Sequence, residues 1–317
     1  MHLDSASQRR RPIAAQHSLD PLPTESVPLL VQNLSKRYRG GVWANWEINL
    51  TGNPGEILGI LGPNGAGKTT MVRQITTELL PTSGSVRVLG YDVVHDPNHV
   101  KSLLGIVPQE AVLFNYLTVY QHLRIFANLR GLTPKESRAK AEQLIEDLDL
   151  MEHRDVPVSD LSGGLKRRVL VGIASAARPP VMVLDEPTTG LDPQSRRNLW
   201  SLLRMYRDEG ALVLLTTHSM EEAEALCDRV GIIQGGRLLV VDTVANLLAN
   251  HGFQFKITYL PNESIRDGVT LYGANDQELV SKVRGMGIQQ FSLGRTNLED
   301  VYLALTGDTD GLDDDGG

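Results

Sequence analysis

"EILGILGPNGAGKTT", Glu56 to Thr70, is the stretch that decides the architecture. Its aliphatic start reads as a buried strand, its middle as a glycine-rich loop and its end as a helix opening at Lys68. Gly62 to Thr70 fit the pattern G-x-x-x-x-G-K-[ST], and they stand where that pattern works, between a strand and a helix. Gly62, Gly65 and Gly67 free successive backbone N–H groups to curl around an anion, while Pro63, Asn64, Ala66 and Thr70 complete the loop. Lys68 has the reach for the β- and γ-phosphates of a nucleotide, and the Thr69 hydroxyl is of the type that ligates Mg²⁺. Without the flanking strand and helix the same residues would be a glycine-rich turn with a solvated lysine.

Outward from this loop, short aliphatic runs alternate with longer helical patterns from Leu29 onward, which predicts an α/β architecture with a mainly parallel sheet core. Three further runs end in polar residues: "SLLGIVPQ" at Gln109, "VMVLDEP" at Asp185 and Glu186, and "ALVLLTTH" at His218. Ligands of open α/β sheets bind at the carboxyl ends of the strands, so these ends and the loop are candidates for one shared site. Asp185 is placed to hold Mg²⁺ and Glu186 to polarise an attacking water. Gln109 is of the type that touches both the metal and that water. His218 either packs against the cap of the next helix, where Ser219 and Glu222 read as a capping box, or donates to the γ-phosphate.

Between Gln109 and Ser162 the pattern turns helical. "TPKE", Thr133 to Glu136, reads as a capping box with proline at the first helical position, opening a helix to about Leu148. This predicts a helical subdomain of about 110–178 inserted into a domain of 29–248. After Ala249 the runs "FQFKITYL" and "GVTLYG" and the helical "DQELVSKVRGMG" predict a small C-terminal α+β appendage, 249–306. Residues 1–28 read as a disordered tail and 307–317 as an acidic one.

"LSGGLKRRV", Leu161 to Val169, poses a question of charge. It reads as the start of a helix whose first turn carries Lys166, Arg167 and Arg168, where the macrodipole disfavours cations, at roughly 0.3–1 kcal/mol each. Either the bases are solvated on a helix held by other contacts, or an anion sits at this terminus.

Composition narrows the function classes. The 317 residues carry 38 acidic and 31 basic side chains, a net charge of −7, which gives no bulk basic surface for nucleic acid. The single cysteine, Cys227, excludes an intrachain disulfide. No apolar run approaches the ~20 residues that cross a bilayer, and Arg9 to Arg11 have no apolar stretch behind them to make a secretory signal, which predicts a cytosolic chain.

These pieces in this order resemble the ATP-binding cassette (ABC) family over roughly Leu29 to Leu248. The resemblance implies a P-loop NTPase cassette that binds ATP with Mg²⁺ and hydrolyses it. It makes "LSGGL" a signature motif, with Ser162, Gly163 and Gly164 contacting the ATP of a second nucleotide-binding domain packed head to tail, a homodimer in the simplest case. It makes "GLDP" with Asp192 the D-loop, Gln109 the Q-loop residue and His218 the switch histidine, and it sets Tyr38 against adenine. The bases of "LSGGLKRRV" would then lie in a field that bound nucleotide makes negative. Leu165 departs from the family's usual glutamine and instead extends an apolar stripe with Val169, Ile173 and Ala176.

"LSGGLKRRV", "EEAEALCDRVGII" and "NLEDVYLALTG" resemble the exporter branch that handles drugs, antibiotics, lipids or polysaccharides. That implies a separate integral-membrane permease subunit and a peripheral place on the cytoplasmic face of the cell membrane. Phe114, Tyr116 and Tyr120 are either apolar anchors for that partner or core. A soluble cassette ATPase acting on ribosomes or DNA is the rival reading.

Overall fold

The structure is a computed structural model that describes residues 27–260 and 268–307. Apart from their inner edges, the two tails read from sequence, with Arg9 to Arg11 and Asp308 to Asp315, lie outside the described residues.

In chain order the elements begin with strands β1 (Leu29–Arg37), β2 (Trp43–Gly52) and β3 (Ile57–Leu61), then helix α1 (Lys68–Ile75). Strands β4 (Ser83–Val88) and β5 (Tyr91–Asp92), helix α2 (Pro97–Leu103) and strand β6 (Leu104–Val107) follow. The helical segment holds α3 (Val119–Leu129), α4 (Pro134–Asp147) and α5 (Gly163–Ser175). Next come β7 (Val181–Asp185), α6 (Pro193–Asp208), β8 (Leu212–Thr217), α7 (Met220–Leu226), β9 (Arg229–Gln234), β10 (Arg237–Thr243) and α8 (Val244–Asn250). The last elements are β11 (Phe255–Tyr259), β12 (Val269–Gly273), α9 (Asp276–Gly285), β13 (Phe291–Arg295) and α10 (Leu298–Thr306).

The central sheet runs β10-β9-β3-β8-β7-β6, with β10 antiparallel and the other five strands parallel. Every residue of β3, β7 and β8 is buried, as strands covered on both faces require. Alternate side chains serve opposite cores. Ile57, Leu61, Met182, Leu184, Val213 and Leu215 pack with the helical segment, whereas Leu58, Ile60, Val181, Val183, Leu212 and Leu214 pack with α1 and a second sheet. Polar substitution on either face would therefore strike a core.

That second sheet is antiparallel, ordered β2-β1-β4-β5, and the expectation of one largely parallel sheet did not include it. Its strands lack clean alternation because β1 slips register against β2 after Val31, Leu34 and Lys36. In the helical segment Thr133 and Glu136 form the expected reciprocal cap with Pro134 in the first turn, and Thr118 with Gln121 caps α3 in the same way. Toward the C-terminus, β12-β11-β13 form an antiparallel sheet around Ile257, Leu279 and Val283. Helix α10 anchors this unit by placing Leu298 and Val301 in the main core, and the Leu298 N–H donates to the Glu224 carboxylate on α7.

Candidate functional site

Strands β3, β8, β7 and β6 are consecutive neighbours, so their carboxyl ends bring Gly62, His218, Glu186 and Gln109 to one edge of the sheet. Two glycines of the loop have distinct tasks. A Cβ on Gly67, at φ +106°, would come within 2.1 Å of the Ala44 carbonyl, and the Asn45 amide donates to the Gly67 carbonyl at 3.1 Å. Gly65, at φ +82°, meets nothing within 4 Å of an added Cβ, so the loop crest is open to close approach. Ala66 is buried beneath it, while Pro63, Asn64 and Thr69 are exposed.

Lys68 is only 4 % exposed. Its ammonium donates to the carbonyls of Gly62 at 2.8 Å and Pro63 at 3.1 Å and pairs with Glu186 Oε1 at 3.3 Å. The other Glu186 oxygen accepts from the Thr189 hydroxyl at 3.1 Å and meets His218 Nδ1 at 3.2 Å. Burial pushes the Glu186 carboxyl upward, but the Lys68 ammonium and His218 outweigh it and hold the group below the usual carboxylate range. Glu186 is thus ionised at neutral pH.

The backbone at Glu186 is left-handed, φ +45°, a conformation that costs a non-glycine residue of order 1–3 kcal/mol. Its N–H is held by the Thr216 carbonyl at 3.2 Å and the Thr216 hydroxyl at 3.0 Å. That hydroxyl donates in turn to the buried Asp185 carboxylate. Tyr38 follows the end of β1, with its hydroxyl 3.4 Å from the Thr70 hydroxyl at the start of α1. Gln109 is exposed one residue beyond Pro108.

Ser162 is the N-cap of α5, its hydroxyl accepting from the Leu165 N–H at 3.3 Å. Ser162 and Gly163 are exposed, whereas a Cβ on Gly164 would lie 2.3 Å from the Ser195 hydroxyl. The Ser195 hydroxyl donates to Asp192 at 2.6 Å, and Asp192 caps α6 through the N–H groups of Gln194 and Ser195. Hydrogen bonds from that hydroxyl and those N–H groups lower the Asp192 carboxyl. Among the described residues no hydrogen bond joins Ser162, Gly163 or Gly164 to residues 62–70.

The sequence matches the family model described as ABC transporter over residues 46–189. Over 297 residues it is 37% identical to Nod factor export ATP-binding protein I of Burkholderia pseudomallei (strain 1710b), a match that covers 89% of this chain and 97% of that protein. The chain belongs to the ABC transporter family. This cassette is also 34% identical over 317 residues to ATP-binding cassette sub-family A member 7 of Rattus norvegicus, of whose length it spans 15%. It superposes on a solved ATP-binding subunit of an ABC transporter with a TM-score of 0.66 at 25% identity, covering 88% of this chain and 99% of that one. A dimeric ATP-binding cassette, MJ0796, solved with ADP and Pi, superposes with a TM-score of 0.62 at 25% identity, over 68% of this chain and 98% of that one. The cassette is an ATP-binding P-loop ATPase.

The cassette corrects two readings of its sequence. The bases of "LSGGLKRRV" are engaged by their own chain. α5 begins at Gly163, so Arg167 and Arg168 stand in its second turn, where the macrodipole is weak. Lys166 donates to the Ser159 carbonyl at 3.2 Å, and Arg168 donates to the carbonyls of Leu148 at 3.2 Å and Asp149 at 3.3 Å. Arg167 reaches four carbonyls at the site itself. Ser219 caps α7 as expected, but Glu222 does not return the bond: it is buried and accepts from Trp200 Nε1 at 3.1 Å, while the Ser219 N–H turns to the Thr217 hydroxyl.

Leu165 packs against the main core with Val169, Ile173 and Ala176, as the stripe predicted. Tyr120 is half-buried and packs against the same core, lying under Arg154 with the guanidinium 4.2 Å from its ring centroid. Phe114 and Tyr116 are exposed instead, Tyr116 at 94 %. Thr189, Thr216 and Arg167 went unread as site residues, because hydroxyls that meet the Glu186 and Asp185 carboxylates and a guanidinium that meets backbone carbonyls leave no spacing pattern to find.

Proposed function

We propose that this cassette is the ATP-hydrolysing subunit of an exporter. It pairs head to tail with a second cassette, and each nucleotide lies between residues 62–70 of one chain and Ser162, Gly163 and Gly164 of the other. The carrying observation is the Lys68–Glu186–His218 cluster, built from three neighbouring strand ends beside an open glycine crest. In this reading Lys68 exchanges its loop carbonyls for the β- and γ-phosphates, Tyr38 stacks on adenine, and Glu186 accepts a proton from the attacking water. His218 steadies Glu186 and donates to the γ-phosphate. Asp192, at the N-cap of α6 and packed through Ser195 against Gly164, keeps the signature in place.

The residues present fit Mg²⁺. Asp185 offers a buried carboxylate with which, among the described residues, no ammonium or guanidinium forms an ion pair, and Thr69 and Gln109 add neutral oxygens. Such a hard oxygen set suits a small divalent cation, and bound there Mg²⁺ would neutralise charge on the phosphates.

Among the described residues no helix is long and apolar enough to cross a membrane, and the cassette would act on a separate integral-membrane permease from the cytoplasmic face. Val112, Phe114 and Tyr116, 93 %, 60 % and 94 % exposed, form an apolar cluster between β6 and α3 that supports a docking surface there. Buried His122 braces it, its Nε2 accepting from the Phe114 N–H at 3.0 Å and its Nδ1 lying 3.1 Å from the Thr118 carbonyl. Burial lowers its pKa, consistent with a neutral ring in that role. Co-purification after mild detergent extraction tests the partner. An integral-membrane protein is the expected companion, lost with Phe114→Ser and Tyr116→Ser together. Ribosomes or DNA without a membrane protein would replace the exporter with a cassette that serves nucleic acid.

A further inference from the structure

Arg167 sits in the second turn of α5, five residues after the exposed Ser162, and its side chain points into its own chain's site. Its Nε donates to the Pro187 carbonyl at 2.7 Å, its Nη1 to the Pro108 carbonyl at 3.1 Å, and its Nη2 to the carbonyls of Asp185 at 3.1 Å and Glu186 at 2.9 Å. One guanidinium therefore joins three segments: the signature helix, the turn before Gln109 and the strand end that carries both carboxylates. The Asp185 and Glu186 carbonyls flank the left-handed backbone that aims Glu186 back at Lys68 and His218. Thr216 fixes the N–H side of that residue and Arg167 its carbonyl side.

We propose that Arg167 is a positioning residue for hydrolysis, holding Glu186 and Gln109 in working register with the signature helix of the same chain. Through it, displacement of α5 at a nucleotide across the dimer interface moves the chain's own Glu186 and Gln109, which couples the two sites. The planar fork suits this role. Five N–H donors in fixed directions meet four carbonyls at once, whereas a lysine is a point charge with three rotatable donors and cannot reproduce the fork. The binding loop, 62–70, is not among its contacts, so ATP binding and hydrolysis are separable at this residue.

The inference rests on the reading of Glu186 as the carboxylate that serves the attacking water, so the full-length chain is tested as Arg167→Ala, Arg167→Lys and Glu186→Gln in parallel. ATP affinity and steady-state phosphate release with Mg²⁺ are the readouts. In Arg167→Ala, kcat is expected to fall about 10²-fold, the scale of a small misplacement of reacting groups, with KM and ATP affinity nearly unchanged. Arg167→Lys, which keeps the charge and most of the stem, is expected to fall almost as far. A kcat within a few-fold of wild type in Arg167→Ala, or restoration by lysine, would overturn the proposal, the latter by showing that charge and packing suffice. Loss of ATP binding in both Arg167 variants would also overturn it, by placing the residue in folding. Normal turnover in Glu186→Gln would instead remove the reading beneath it, whatever the Arg167 variants do.

Discussion

Glu186→Gln is expected to bind ATP about as well as the wild type and to lose ~10²-fold or more of its turnover, the range that a positioned general base contributes. The amide keeps the shape of the carboxylate and can still meet Thr189 and His218, but it takes no proton from water. Metal-binding groups and the loop stay intact, so closed dimers should persist in ATP, visible by size exclusion as a dimer that the wild type shows only transiently. Low pH should act in the same direction. The Glu186 carboxyl is held below its ordinary range by Lys68 and His218, so the folded state favours its ionised form, and that contribution to stability is present at neutral pH. It is lost as pH falls through the depressed value, together with the base. A Glu186→Gln chain that releases phosphate at the wild-type rate would remove Glu186 from the mechanism.

Lys68→Ala is expected to lose most of its ATP affinity. A charge-assisted bond is worth about 1.5–3 kcal/mol, or roughly 10- to 10²-fold per phosphate contact, and the alanine removes the one cationic side chain of the loop, residues 62–70. A second effect separates binding from folding. Lys68 and Glu186 are a buried pair, their side chains 4% and 7% exposed, and removing one member of such a pair can cost about 3–5 kcal/mol by stranding the other. Lys68→Ala should therefore unfold at a lower temperature than the wild type, and Lys68→Ala with Glu186→Gln should recover part of that loss without recovering ATP binding. Undiminished affinity in Lys68→Ala would contradict the assignment of the loop.

Much of this was legible because the decisive residues sit at strand ends. "EILGILG" followed by "PNGAGKTT" reads as a strand, a turn and a helix within 15 residues, and the aliphatic runs "VMVLD" and "ALVLLTT" read as strands of a mainly parallel sheet, which the structure buries on both faces. The rule for open sheets makes the four ends candidates for one shared site, and the strand order β3-β8-β7-β6 makes them neighbours. The antiparallel sheet was harder, since the slips along β1 blur the alternation that would reveal it. Side chains that serve carbonyls were hardest. Arg167 and Arg168 read as misplaced surface charge because an acceptor supplied by backbone has no residue type, and Glu222 read as a capping partner because its other acceptor role depends on Trp200, 22 positions away. The C-terminal unit was partly visible in "FQFKITYL" and "GVTLYG"; its anchoring through Leu298 and Glu224 was not, since that contact spans 74 positions.

The central claim is that hydrolysis needs Lys68 of one chain and Ser162 of another. Mixing Lys68→Ala protomers with Ser162→Arg protomers tests it most directly, with the two protomers carrying different affinity tags so that heterodimers are isolated through both, and with heterodimers of wild type and Lys68→Ala, which keep one intact site, isolated the same way to establish that one such site turns over. Each variant alone has two damaged sites. Their heterodimer has one site carrying both defects and one in which an intact loop faces an intact signature, so phosphate release should recover only in the mixture. If Ser162 served the nucleotide of its own chain, every protomer in the mixture would be defective. Activity that stays at the level of the separate variants while heterodimers are present would contradict the account.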